Sequence, residues 1–338
     1  MTAACILGCA GPALLGEEAA FFRAVDPWGF ILFGRNVETP AQVRALAGAL
    51  RAAVDRPDAP ILIDQEGGRV QRLGPPHWPR YPPARAYAAL ADRGVRLDMA
   101  ALGARLIAHD LAAVAINVDC APVLDAPAPG AHEIIGDRAY GEEAAEIAAM
   151  GRAVAEGLLA GGVLPVIKHI PGHGRATADS HSSLPVVEAS WAELEARDFA
   201  PFRALRDMPI AMTAHVVYAA VDARAPATTS SAVIERVIRG AIGFDGLLIT
   251  DDLSMKALAG VFARGAADSL AAGCDVVLHC NGDMTEMTAV AAGAGPLSPR
   301  AAERAAAALG RLVLTPEPFE AREARRRFDA TFGDRWAA

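Results

Sequence analysis

The sequence predicts an α/β protein folded as a single (β/α)8 TIM barrel over residues 1–338, and three observations carry that prediction. Eight short apolar runs alternate with alanine-rich stretches of helical composition. A length of 338 residues falls in the range that one such barrel occupies. Polar and ionisable residues gather where the apolar runs stop, which is where a barrel keeps its active site. A doubly wound sheet would carry fewer units. Its dinucleotide-binding form would show Gly-x-Gly-x-x-Gly after an early strand, and this sequence has none.

Taken in order, the predicted strands are residues 5–9, 29–34, 61–64, 114–118, 164–169, 210–215, 247–251 and 275–279, all short and rich in β-branched or large apolar side chains. Helices are expected after each of them. Residues 17–24 follow the first strand, and 39–54 open on Thr39-Pro40 as cap and first helical residue. Residues 84–111 form a broken helix, followed by 142–160. Ser190 caps 190–205, and 230–241, 261–272 and 283–292 follow the last three strands. Surface helices at 298–312 and 317–328 close the chain, the second with Arg325-Arg326-Arg327 on a solvated face. The Pro-rich loop 74–83 lies inside a unit, so no domain boundary is placed there.

Composition narrows the function classes. A 53% hydrophobic content supplies a sizeable core. The net charge of −8 argues against nucleic acid or an anionic membrane as partner, since either would require a basic stripe. No run of roughly 18 apolar residues is present to span a bilayer. Ile6-Leu7-Gly8-Cys9 faintly resembles a lipoprotein cleavage site, but the first basic residue is Arg23, so a first core strand is expected there instead. Five scattered cysteines, Cys5, Cys9, Cys120, Cys274 and Cys280, read as reduced core residues of a cytoplasmic protein. A monomer is expected.

The chemistry concentrates in residues 168–181, Lys-His-Ile-Pro-Gly-His-Gly-Arg-Ala-Thr-Ala-Asp-Ser-His, directly after an apolar run. This stretch holds three of the eight histidines and one of only two lysines, and its glycines and proline forbid a regular helix. Other run ends carry Arg35-Asn36, Asp64 to Arg72, Asn117, Asp119 and Asp125, His215, Asp251-Asp252, and His279-Cys280-Asn281. Two chemistries fit these residues. Metal hydrolysis would use histidines and aspartates as ligands, but no His-x-His marks an early strand, and Pro171-Gly172 keep His169 and His173 off one helical face. Acid–base and nucleophilic chemistry would use Asp251, which ends an almost wholly apolar run and points into a pocket. In that reading Asp179 orients His181 and raises its pKa, while Asp64, Arg72, Lys168 and His169 grip a polyhydroxylated ligand.

Lys168 to Gly174 with Asp179-Ser180-His181, Asp-Gln-Glu-Gly-Gly-Arg-Val-Gln-Arg from Asp64 to Arg72, and Thr250-Asp251-Asp252-Leu253-Ser254-Met255 resemble the bacterial β-N-acetylhexosaminidases of glycoside hydrolase family 3. Phe33-Gly34-Arg35-Asn36, Ala121-Pro122-Val123-Leu124-Asp125, Ile135-Gly136-Asp137-Arg138 and Met212-Thr213-Ala214-His215 fit in the same order. The look is that of the short single-domain type serving peptidoglycan recycling. The resemblance implies a retaining hydrolase with Asp251 as nucleophile, His181 as general acid/base and Asp179 as its partner. Asp64, Arg72, Arg138, Lys168 and His169 would hold N-acetylglucosamine, and no metal or organic cofactor is implied. The implied substrate is a terminal β-linked N-acetylglucosamine on 1,6-anhydro-N-acetylmuramyl units. Ile170 and Thr250 depart from the family's usual Phe and Ser without removing a reacting group. Phosphorolysis, a metal-dependent hydrolase and a non-catalytic sugar-binding barrel stay open as alternatives.

Overall fold

The computed structural model describes residues 1–176, 184–255 and 262–333. Eight parallel strands close into a barrel in chain order: β1 Ala3–Leu7, β2 Pro27–Leu32, β3 Ile61–Ile63, β4 Val118–Asp119, β5 Leu164–Ile170, β6 Ile210–Thr213, β7 Leu247–Asp252 and β8 Val276–His279. Each strand pairs with the next, and β8 closes on β1 through Leu7 opposite His279. The expected (β/α)8 fold is what forms.

Alternation along the strands separates two cores. In β1, Ile6 faces the barrel interior with Ile31, Leu62, Val166, Met212 and Ile249, whereas Cys5 and Leu7 face the outer layer with Phe22 and Leu46. All five cysteines are free and buried. Thr39 caps helix Pro40–Ala53 by accepting from Gln42 N, and Ser190 caps the helical stretch over residues 191–204 in the same way. The helix expected over 84–111 is indeed broken, into Ala84–Ala88 and Arg93–Ala113, with Asp92 capping the second piece. No helix among the described residues is long and apolar enough to cross a membrane.

Three expectations need correction. Residues 114–118 are not a strand: Val114 ends the preceding helix, Ala115 turns the chain at φ 62°, and only Val118–Asp119 joins the sheet. The apolar side chains there serve the end of a helix and a turn before they serve a strand. Helix Pro299–Leu309 is more than a surface element, because Ala305 and Ala308 pack against the barrel's interior cluster. The last helix runs Ala321–Phe332, later than expected, with Phe328 buried against Tyr81 and Tyr87. Its arginines are ion-paired, Arg325 with Asp329, Arg326 with Glu323 and Arg327 with Asp98, and Arg325 lies over the Tyr81 ring.

Candidate active site

Asp64 follows β3 directly. The chain then doubles back as a small ribbon, Gln65–Gly67 against Val70–Gln71, with Gly67 and Gly68 at φ 94° and 59°. Those left-handed angles are what glycine allows at a tight turn, and an added Cβ on Gly67 would strike the Pro82 carbonyl at 2.4 Å. Gln65 locks the ribbon: its side-chain oxygen accepts from the Arg72 and Leu73 amides, both at 3.0 Å, and its amide donates to the Leu73 carbonyl at 2.9 Å. Arg72 is thereby returned to Asp64, 3.0 Å away.

Across the barrel mouth, Lys168 near the end of β5 reaches Asp64 at 2.9 Å and Glu66 at 2.6 Å. Arg138, on the short helical turn Gly136–Arg138, grips Glu66 with two parallel bonds of 2.8 Å. Bidentate geometry of this kind is among the stronger polar contacts a protein makes. Burial alone would push both acids up, but Lys168 and Arg72 hold Asp64 far below the usual carboxylate range. Lys168 and Arg138 likewise bring Glu66 down to about 2. For Lys168 burial acts downward and the two carboxylates overcome it, so the whole cluster is ionised.

Asp251 stands near the end of β7 and accepts the Asp252 amide at 2.8 Å. Burial pushes its carboxyl up, yet His169 and His215 nearby hold it below its ordinary value, so it is an anion at neutral pH. Asp252 has a structural duty: it accepts from Ser254 N and Oγ and from Cys280 N. His215 donates from Nε2 to the Asp252 carbonyl at 3.0 Å, so its neutral ring accepts at Nδ1 from the Thr228 hydroxyl at 2.7 Å. Burial lowers the His215 pKa and keeps that ring neutral.

His169 is fixed from behind. Asp125 accepts its Nδ1–H at 2.7 Å and, with the other oxygen, the His169 and His173 amides at 3.2 and 2.7 Å. With Nδ1 engaged, the ring is held in one orientation. The peptide joining Lys168 to His169 is cis, and both side chains line the same pocket. Burial brings His173 down to about 4, so its ring is neutral in the physiological range. Among the described residues no three His, Cys, Asp or Glu side chains group as metal ligands.

Asp64, Arg72, Arg138, Lys168, His169 and Asp251 thus come together around one pocket of about 350 Å³. Asp179 and His181 lie outside the described residues. The chain leading toward them is tied down: Arg175 pairs with Asp198 at 2.7 Å, and Tyr218 Oη donates to the Gly172 carbonyl at 2.6 Å. Other polar run ends are structural. Arg35 and Asn36 bind the Cys9 carbonyl, Asn117 accepts the Ile61 amide, and His279 packs against the Phe262 ring. Glu66 and Asp125 stood among the polar run ends of the sequence without an assigned role. Their partners, Arg138 and His169, lie 72 and 44 residues away.

A barrel with an ionised carboxylate facing a network of charged hydrogen-bonding groups is suited to reactions on a neutral polyol. The model of the glycosyl hydrolase family 3 N-terminal domain matches residues 25–311, and the chain belongs to that family. Among its relatives, the beta-hexosaminidase of Methylococcus capsulatus is 41% identical over 275 residues, covering 80% of each chain. That of Chromobacterium violaceum is 38% identical over 322 residues, 91% of this chain and 89% of the relative. In structure the chain is similar to NagZ from Neisseria gonorrhoeae solved with N-trifluoroacetyl-D-glucosamine: TM-score 0.88, 30% identity, 98% of each chain covered.

Proposed function

We propose that this glycoside hydrolase is a retaining exo-β-N-acetylglucosaminidase. It would release terminal, non-reducing β-linked N-acetylglucosamine from 1,6-anhydro-N-acetylmuramyl muropeptides in peptidoglycan recycling. Residues 1–338 act as one catalytic domain, in the cytoplasm and as a monomer. The observation that carries this reading is the ionised Asp251 carboxylate sharing one pocket with the Asp64, Arg72, Lys168, Glu66 and Arg138 network. Relatives named beta-hexosaminidase support the activity.

In the first step an Asp251 oxygen bonds to the anomeric carbon as the bond to the aglycone oxygen breaks. The Asp252 amide on Oδ1 keeps the carboxylate aimed during attack. His181, oriented by Asp179, gives the departing oxygen its proton. In the second step His181 takes a proton from water, and the resulting hydroxide displaces Asp251, so configuration at the anomeric carbon is retained. Asp64, Arg72, Lys168, Arg138 and His169 hold the sugar hydroxyls and acetamido group, and the reading invokes no cofactor. Its test is turnover of p-nitrophenyl N-acetyl-β-glucosaminide and of an anhydromuropeptide, with and without phosphate. Free N-acetylglucosamine at a rate indifferent to phosphate is expected. A sugar phosphate as main product, or no turnover of either substrate, sinks the proposal.

A further inference from the structure

Beneath the sugar-gripping network lies a carboxyl group that the mechanism leaves unused. Asp119, the last residue of β4, is fully buried. Its Oδ1 accepts the Gln65 amide at 3.0 Å, and its Oδ2 has no hydrogen-bond partner among the described residues. A small cavity of about 10 Å³, room for a single water, is lined by Asp119, Gln65, Glu66, Tyr87 and Tyr140 together with six aliphatic residues. A buried carboxyl oxygen without a partner is costly, and a cavity beside it that also holds the polar groups of Glu66, Tyr87 and Tyr140 is where an ordered water resolves that cost.

We propose that Asp119 is a positioning residue for the sugar-binding acids: through Gln65 it fixes the ribbon that carries Asp64 and Glu66, and one buried water joins its second oxygen to the floor of Glu66. Gln65 stands between those two acids in the chain, and its side chain sets Arg72, so the one bond from Asp119 steadies both halves of the Asp64 and Arg72 pair. The groups facing Asp119 are Lys168 from β5, Asp64 and Glu66 from the ribbon, the adjoining Cys120, and the two tyrosines of the cavity. Burial pushes the Asp119 acid up to about 8; the Gln65 amide and Lys168 pull against that, and Asp64 and Glu66 add to it. At neutral pH the group is therefore an uncharged acid that donates from Oδ2 to the water. Once it ionises, a third negative charge competes with Asp64 and Glu66 for Lys168.

The inference rests on the sugar-binding reading above, and its test separates the two. Binding of N-acetylglucosamine to the full chain is measured by calorimetry between pH 6.5 and 9.5, for the protein as it stands and for Asp119→Asn, with Asp119→Ser as second variant should Asn fail to fold. An acid ionising near 8 falls from mostly protonated at pH 7 to mostly ionised at pH 9, so Kd should rise about tenfold across that span. It should stay flat within about twofold in the variant, which cannot ionise. A variant that follows the parent's rise overturns the proposal. Infrared difference spectra taken over the same pH range should show a protonated carboxyl band that titrates in the parent and is missing from the variant; no such band overturns the proposal too. If the parent binds no N-acetylglucosamine, the functional reading fails, and the infrared result alone still decides the role of Asp119.

Discussion

On the β3 and β5 side of the pocket each carboxylate meets cations head-on: Asp64 has Arg72 and Lys168, and Glu66 has Lys168 and Arg138. On the β7 side Asp251 makes no ion pair with any Lys or Arg among the described residues, and is steadied by one backbone amide and two neighbouring imidazoles. The first arrangement uses up charge in mutual pairing and leaves a stiff surface of donors and acceptors, suited to hydroxyl groups. The second keeps a carboxylate ionised without a tight cation on its oxygens, which would have to be displaced before a bond could form. In the proposed mechanism, binding and reaction thus draw on opposite uses of the same residue type.

The contrast can be broken at its reactive end first. Asp251→Ala should lower turnover of every glycoside by on the order of 10⁴-fold while substrate binding persists, as the neighbouring network is untouched. Steady-state rates on aryl glycosides check this, and a loss below about tenfold would remove Asp251 from the nucleophile's role. A smaller effect, and one on folding, is expected on the other side. Lys168 is 2% exposed and shared by two acids. Lys168→Met should therefore cost about 1.5–3 kcal/mol in urea denaturation, because Asp64 and Glu66 each lose one of the two cations that pair with them. A stability unchanged from the parent would mean that Arg72 and Arg138 suffice.

The finest distinction lies in acid. Glu66 ionises at about 2 in the folded protein against an ordinary 4.5, so the unfolded chain takes up this proton first as pH falls. The stability it confers is fully present above about pH 4.5 and lost as pH falls toward 2. Glu66→Gln should be less stable than the parent at pH 7 but lose less between pH 4.5 and 2.5. Urea midpoints across that range measure it, and parallel acid limbs would show that Glu66 is not the group responsible.

Much of this molecule was legible in its sequence because barrel strands are short apolar runs with polar stops. Asp64, Lys168 and Asp251 stood out for that reason, being charged at the end of a run that is not. The fourth strand was displaced because residues 114–118 are apolar for two different neighbours, a helix end and a turn, and composition cannot tell these from a strand. Glu66 and Asp125 went unassigned for another reason. A loop acid reads as solvated until its partner is known, and those partners are placed by the closure of the barrel, not by local spacing.

The double attachment of Glu66 bears on how this pocket could be reshaped. Arg138 and Lys168 both lean on that one carboxylate, and Lys168 also leans on Asp64, so each acid keeps a cation when one is lost, whereas exchanging Glu66 or Asp64 takes from Arg138 or Arg72 its ion-pair partner among the described residues. A redesign toward another sugar would have to move these residues as a set, with total charge conserved at each step. Drift through single changes at the two acids is closed at this end of the pocket. It is more open at the rim, where Arg69 and Asp137 pair in contact with solvent and can be altered one at a time.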